Sequence, residues 1–572
     1  KLSCLTNNTN TVEFDQLEKK LTQYYAANPY SEGYVLYLYG KLVENSNNYS
    51  IDIAEQIKIL DGIEKYYCKS NCSVIKMDYY HYYLVKLEKM LLAEKWSDAK
   101  KYLDKMWENI IFPILEYVAD KKQENIKGNI MLLRRYVSLY ISAVQNFKQL
   151  KITDREIYEY VMNYKYYEDL IYYNKYNTKT EVKNRTYKRI QNVNINKNWL
   201  VLDSIDYNYI DLRNITDTIS KCFTLGGYDD IHRLYFVIDY SKGMFSCIKA
   251  SIIGDVEYSY MDMLLDQYNK SDSISELEKK TSRILADYIY RKDKIFVCRD
   301  MIAEALPLSV LRLEDNIYWG EKYQIVYCNI IQNVKEDMEV EDISDSIFMG
   351  MSLFDGEDVM CGIKDTLCDI PYVENEISEL SEITGGRAYI DADMYDKLSQ
   401  RRNESIIHIA THTVSDENTN NRKLVVGRNS TGEYKYFTYK QISECDWRKT
   451  KLVVLSSCET NEYDIGDYRV NSLSQAARIA GASYIIATTL EVEDGVNLFF
   501  MMSFYKNLKK YKKIAYAFYK TQEDMRTLTK KQILDDKEYK AAGMEWYLQN
   551  YDDYSIPFES ERDWGNYILS VS

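Results

Sequence analysis

Four short segments in the second half of the chain are apolar at nearly every position: SIFMGMS (346–352), SIIHIA (405–410), KLVVLSS (451–457) and SYIIATT (483–489). Helical spacing fills 373–384, 392–402, 471–480 and 493–509, between or after them. A strand with one wet face alternates apolar and polar residues, whereas a continuous run is covered on both faces. Such strands alternating with helices specify a parallel-rich sheet flanked by helices. In sheets of this kind the working residues lie just beyond the carboxyl ends of the strands.

The block before it, 199–340, follows the same logic, with strands expected at 233–240, 245–252 and 294–300 and a helix at 273–290. Residues 11 to about 175 read as helical, since apolar residues recur at three and four and strand-like alternation is rare. Within MLLAEKWSDAKKYLDKM (90–106) a turn at 95–97 precedes Ala99, Leu103 and Met106. Small-then-large apolar residues at that spacing let one helix lie on another, as in a tetratricopeptide hairpin. The pattern is degenerate, and an unrelated helical bundle is the alternative. The polar, basic stretch 176–198 reads as a linker, a solvated charged segment in preference to a nucleic-acid contact. The expected layout is an all-α TPR-like domain over 1–175, the linker 176–198, and two α/β blocks over 199–340 and 341–572.

Composition narrows the function classes. A net charge of −14 argues against a dedicated nucleic-acid binder. No run of 18 apolar residues is present, so no membrane span is expected. The 11 scattered cysteines suit a reducing cytosol better than a disulfide framework, and a cytoplasmic location is expected. Cys68 and Cys72 form CxxxC without a second pair at zinc-finger spacing, so they read as ordinary helix cysteines. The chain opens on Lys1 and reads as a trimmed or processed product. With only 4 histidines, a His-based metal cluster has few ligands to draw on, and no metal or cofactor is expected.

Two strand ends carry reactive groups. The run ending at Ala410 leads into Thr411, His412 and Thr413, and the run ending at Ser457 leads into Cys458, Glu459 and Thr460. If these strands are neighbours, His412 and Cys458 share one sheet edge. A nearby imidazole lowers a thiol's pKa and shuttles its proton, which makes the pair a nucleophile and base for attack on a peptide carbonyl. Backbone N–H groups of Thr413 and Cys458 are candidate oxyanion donors. Either residue alone has a bland reading, a small buried thiol or a hydrogen-bonded structural imidazole. Their joint placement, with His ahead of Cys by a caspase-like interval of roughly 50 residues, favours the dyad. His81 falls in the helical region, His232 before a strand and His408 inside one.

The same residues resemble the CHAT peptidases, caspase-like proteases associated with TPR repeats, and more distantly separase. SIIHIATHT fits the family's apolar strand followed by A-T-H, and KLVVLSSCET fits its L-S-x-C-E-T. Gly481-Ala482 with SYIIATTLEVED fits the A-G-A strand and acidic turn, WGNYILSV (564–571) the closing strand, and KIFVCRD with ALPLSVL the upstream strand and P-x-x-x-L pattern. The resemblance runs from about residue 200 to the end. It implies a caspase-like fold with a pseudo-caspase half before an active half. It further implies His412 as catalytic histidine and Cys458 as nucleophile, with a protein as substrate. An activating protein or ligand would bind the helical domain. The role implied is prokaryotic antiviral defence, by cleavage of a gasdermin or a partner-system effector. Two positions depart from the pattern: Thr413 stands where the family has Gly, and Leu490 where it has Trp.

By analogy with separase-like relatives, Glu491 and Asp494 are candidates for binding a basic residue before the scissile bond. A solvated helix start is the alternative. Asp355, after the first strand of the block, is a further rim candidate. The acidic segment 461–469 reads either as an activation loop or as a plain surface loop. A non-catalytic scaffold, with His412 and Cys458 kept for packing, is the competing function. A nucleotide-binding protein is disfavoured, because no G-x-G-x-x-G or P-loop follows a strand.

Overall fold

The computed structural model describes residues 93–105, 126–176, 199–208, 231–239, 244–250, 292–298, 308–310, 317–328, 337–354, 367–391, 394–399, 403–415, 422–458, 460 and 472–572, with isolated positions from 19 to 91. The calls on Asp355, the 461–469 loop, Cys68, Cys72, the 273–290 helix and, beyond residue 176, the 176–198 linker lie outside the described residues. The chain divides into two units, 1–153 with 207–227, and 154–206 with 228–572.

In the first unit, Glu94 adopts φ 56° at a turn over 93–95, and helix α1 (Trp96–Asp104) follows. Leu87 and Leu91 before the turn and Ala99, Tyr102 and Leu103 after it are all buried. Helix α2 (Ile126–Asn146) leads to Phe147, whose ring lies 5.7 Å from that of Trp96.

The second unit opens with helix α3 (Asp154–Tyr176) and is built on strands β1 (Trp199–Asn208), β2 (Ile231–Asp239), β3 (Met244–Ala250), β4 (Lys294–Cys298), β5 (Gln324–Cys328), β6 (Ser346–Gly350), β7 (Arg387–Ile390) and β8 (Ile406–Ala410). A three-stranded flap of β9 (Thr413–Ser415), β10 (Arg422–Arg428) and β11 (Tyr434–Thr438) comes next, then β12 (Leu452–Ser456), β13 (Tyr484–Thr488) and β14 (Tyr567–Val571). Apart from the flap, these strands form one sheet in the order β3-β2-β1-β4-β5-β14-β13-β12-β8-β6-β7. All four apolar runs became strands, and every residue of β6, β8, β12 and β13 is buried. The fold is thus the expected parallel-rich mixed sheet flanked by helices.

β2 and β3 pair antiparallel at one end of the sheet, and a second change of direction, the seam, falls at β14. β14 pairs parallel to β5 and antiparallel to β13, while β13, β12, β8, β6 and β7 all run parallel to one another. The carboxyl ends of β8, β12 and β13 therefore lie at the opposite edge from those of β4 and β5. Strands β1, β5 and β7 and the flap were not foreseen, and His232, expected before a strand, lies within β2. β7 has no continuous apolar run because both Arg387 and Ala388 are exposed at the sheet's border.

Helices α4 (Tyr372–Thr384), α5 (Leu473–Ile479), α6 (Asp494–Tyr511) and α7 (Ile514–Thr527) cover the strands. α6 is buried without a break from Gly495 to Tyr505, as expected of a helix enclosed by other elements on all sides. Helix α4 crosses β6 so closely that a Cβ on Gly350 would lie 2.6 Å from Ile377 and 2.8 Å from Val373. It ends at Gly385, whose left-handed φ of 81° is the usual helix stop. The starts of α4 and α6 are joined, because the Tyr372 N–H donates to Asp494 Oδ2 at 3.0 Å.

Two outcomes follow from this packing. Gly350→Ala is expected to lower stability by about 1–3 kcal/mol, measured by denaturant unfolding, since the added methyl overpacks the β6–α4 contact. Burial, opposed by the Tyr372 N–H and reinforced by the charges of Glu376 and Glu493, pushes Asp494 up to about 7. A carboxyl raised in the folded state costs nothing below the unfolded value of 3.8; the cost grows as pH rises and is complete above about 7. Asp494→Asn keeps an acceptor for Tyr372 and removes the charge. It is expected to raise the unfolding midpoint at pH 8 and leave it unchanged at pH 4, with a gain of no more than about 4 kcal/mol.

Candidate active site

The site lies where β8 and β12 end. These strands pair in parallel with Leu452 opposite Ile406 and Ser456 opposite Ala410. His412 and Cys458 each follow two residues beyond that last rung. Hydroxyl groups tie the strand ends together. The Thr411 N–H donates to Ser457 Oγ at 3.3 Å, Thr488 Oγ1 donates to the Ser457 carbonyl at 2.6 Å, and Thr413 Oγ1 donates to the Cys458 carbonyl at 2.6 Å. Thr413 thus turns its hydroxyl onto the backbone of Cys458. Its own backbone begins β9, which pairs with β10 through Thr413 and Leu424.

His412 is half-buried, and its Nε2 lies 2.8 Å from the carbonyl of Cys368. A carbonyl only accepts, so Nε2 carries the proton and Nδ1 keeps the lone pair. The Phe354 ring meets the imidazole edge-to-face at 4.6 Å. Phe354 is itself fixed by its N–H to Asp369 Oδ1, and the preceding residues by Asp391, whose carboxylate accepts from the Ser352 and Leu353 N–H groups. Burial pulls the His412 pKa below 6.5, and the Cys368 carbonyl opposes it. The imidazole is therefore neutral at pH 7 and can accept a proton. Cys368 is disulfide-bonded, a departure from the expectation of a reduced chain, whereas Cys458 is half-buried and in no disulfide.

The Cys458 thiol points to the turn after β13, with Sγ 3.8 Å from the Val492 carbonyl. Buried Asn566 holds that turn: its Oδ1 accepts from the Thr489 and Leu490 N–H groups at 3.0 and 2.7 Å, and its Nδ2 donates to the Leu490 and Glu491 carbonyls. Within the turn Glu491 and Glu493 are exposed, while Asp494 faces inward to the start of α4. Asp563 joins this acidic neighbourhood. Burial and the Glu493 charge push it up to about 6, against the pull of Arg562. Asp494 is thus the substrate candidate already engaged with backbone, Glu491 the one open to solvent, and Asp355 lies outside the described residues. Among the described residues, no group of three or more His, Cys, Asp or Glu is arranged to hold a metal ion.

The Cys368 carbonyl, Phe354, Asn566 and Asp563 had no place in the sequence reading. A carbonyl oxygen leaves no mark in a sequence, and Phe354 follows its strand like any loop aromatic. Asn566 did carry a signal, a polar residue set directly before the apolar run of β14.

Comparison with known proteins gives one family. The model of the CHAT domain matches residues 276–572. No curated protein matches the sequence. Among solved structures, one of the separase–securin complex of Saccharomyces cerevisiae is 8% identical with a TM-score of 0.39, covering 100% of this chain and 49% of that one. A second structure of that complex is also 8% identical, with a TM-score of 0.38, covering 91% and 37%. The complex of Porphyromonas gingivalis RgpB pro- and mature domains is 9% identical with a TM-score of 0.28, covering 52% and 68%. This chain spans less than half the length of the separase chains. Because the CHAT domain match extends over more than half of its residues, the chain belongs to the CHAT domain family.

Proposed function

We propose that the chain is a cysteine endopeptidase that cleaves a protein substrate with a His412/Cys458 dyad. The observation that supports this reading is the parallel register of β8 and β12, which ends two residues before His412 and Cys458, with Thr413 Oγ1 bound to the Cys458 carbonyl and the Cys368 carbonyl on His412 Nε2. In the proposed reaction the Cys458 proton moves to His412 Nδ1 and the thiolate attacks the scissile carbonyl carbon. The oxyanion is met by the backbone N–H groups of Thr413 and Cys458. His412 then protonates the leaving amine, and water hydrolyses the thioester with the imidazole as base. A histidine held below 6.5 suits this role, since it is a ready base at pH 7.

The acidic turn after β13 supports a preference for a basic residue before the scissile bond. Glu491, with Glu493, Asp494 and Asp563 behind it, would face a lysine or arginine of the substrate beside Cys458. We further propose that the helical region, 1–175, binds an activating protein or ligand in the manner of a TPR array, that 176–198 links it to the two caspase-like blocks, 199–340 and 341–572, and that the setting is prokaryotic antiviral defence. These assignments draw on the family resemblance and on the helix–turn–helix at Glu94.

In a cleavage assay with candidate protein substrates and the activator present, Cys458→Ala and His412→Ala are each expected to cut the rate by at least about 1,000-fold. A thiol-directed peptide probe is expected to label Cys458, and the acid limb of the kcat/KM profile to lie below pH 6.5. Full cleavage by Cys458→Ala would overturn the dyad, and absence of both cleavage and Cys458 labelling in the native chain with its activator would leave the scaffold reading in its place. Glu491→Gln and Asp494→Asn are expected to lower cleavage after lysine or arginine selectively, by about tenfold or more each, while probe labelling persists. An unchanged residue preference would remove both from the pocket.

A further inference from the structure

One layer beneath the site, a carboxylate is buried in the apolar core. Glu376 of α4 and His408 of β8 are both 0% exposed. Glu376 Oε1 lies 2.7 Å from His408 Nε2 and accepts from Ser456 Oγ of β12 at 2.7 Å. Asn497 of α6 donates through Nδ2 to Glu376 Oε2 at 3.0 Å and to Ser456 Oγ at 2.7 Å. Its Oδ1 accepts from the Tyr567 hydroxyl of β14 at 3.1 Å, and the Tyr505 hydroxyl of α6 meets His408 Nδ1 at 3.2 Å. Each carboxylate oxygen is therefore partnered, as a buried charge requires.

Apolar residues of similar shape would fill this space at no loss of stability. What they would not supply is register. The residues around it, Ile406, Ile407 and Ile409 on β8 and Leu452 to Leu455 on β12, are all large aliphatics. A slip of two residues keeps every side chain on its own face of a strand and exchanges one aliphatic contact for another. His408 and Ser456 are the polar exceptions on this face, and both are bound by the same oxygen. That sharing is possible in one register only, the one in which Val454 lies opposite His408 and Ser456 opposite Ala410. His412 and Cys458 follow two residues beyond the last paired rung of these two strands.

We propose that Glu376, His408, Ser456 and Asn497 are positioning residues that lock β8 and β12 in the single register that sets His412 opposite Cys458. The proposal rests on the dyad reading, and its test separates the two. The probe is iodoacetamide on the whole chain, with alkylation of Cys458 followed by peptide mass spectrometry over a series of pH values. Thermal unfolding and circular dichroism run alongside. Ser456→Ala and Glu376→Gln are expected to remain folded and to slow alkylation at pH 7 by about ten- to a hundredfold. Both should move its pH dependence toward that of His412→Ala. Ser456→Thr, which keeps the hydroxyl, should restore the native profile.

A second readout needs no catalysis. With His412→Cys, oxidised glutathione should close a disulfide to Cys458, because facing residues on neighbouring strands meet the distance that bond requires. Adding Ser456→Ala or Glu376→Gln should lower its yield several-fold. If His412→Ala leaves the alkylation profile of the native chain unchanged, the dyad reading fails, and the disulfide yield alone decides the positioning role. If the folded Ser456→Ala and Glu376→Gln chains keep both the native profile and the native yield, the positioning role is overturned. Should Glu376→Gln not fold, Ser456→Ala decides, since it removes one hydroxyl and leaves the carboxylate its contacts to His408 and Asn497.

Discussion

The parallel pairing of β8 with β12 is the interaction on which the rest of the second unit turns. Both strands are buried on both faces, so their backbone N–H and C=O groups must find partners in each other and in their outer neighbours. That necessity holds the strands straight and adjacent until Ala410 and Ser456, after which the chain is released into polar residues. The candidate side chains His412 and Cys458 sit at the release point, where the backbone is still anchored by the sheet and the side chains are half-buried. Helices α4 and α6 serve the same pairing, since they exclude water from it and bring Glu376 and Asn497 to its inner rungs.

Much of this was legible before any coordinates. The apolar runs marked β6, β8, β12 and β13 to within a residue or two, because burial on both faces leaves no room for polar positions. Two reactive residues just beyond such runs, His412 and Cys458, stood out for the same reason. The expectation that His408 packs inside the strand also holds, but its partner Glu376 was invisible. A glutamate amid helical spacing looks like any solvated residue until a buried imidazole is seen facing it. The flap was missed because β9 has three residues and β10 mixes apolar and charged side chains. Its stability comes from cross-strand pairing, which local sequence reports weakly.

The candidate site also shows how one residue type serves opposite ends. Asp494, Glu493, Asp563 and Glu376 lie in one part of the molecule, yet they meet different surroundings. Glu376 is satisfied by three side chains and Asp494 by a backbone N–H, whereas Asp563 and Glu493 work against each other across a half-buried space. Sequence spacing identified an acidic turn, but burial decides which of its members is open to a ligand. Cys458 is likewise one of eleven cysteines in the chain, and its place just beyond a buried strand rather than its sulfur sets it apart.

The seam strand has a consequence for how the molecule is made. β14 is the strand furthest along the sequence, yet it occupies the middle of the sheet, between β5 and β13. Its pairings reach back to residues 327 and 484, so their loops close slowly. At synthesis rates of about 5–20 residues per second, β13 emerges some 4–16 s before the strand that covers it. For that interval two half-sheets exist with open, mostly aliphatic edges facing one another, the state in which strands most readily pair with the wrong chain. The Tyr567 hydroxyl on Asn497 and the Asn566 clamp on the turn beside Cys458 arrive with the same segment. The nascent chain therefore lacks the contacts that order the surroundings of Cys458 until its sheet is closed.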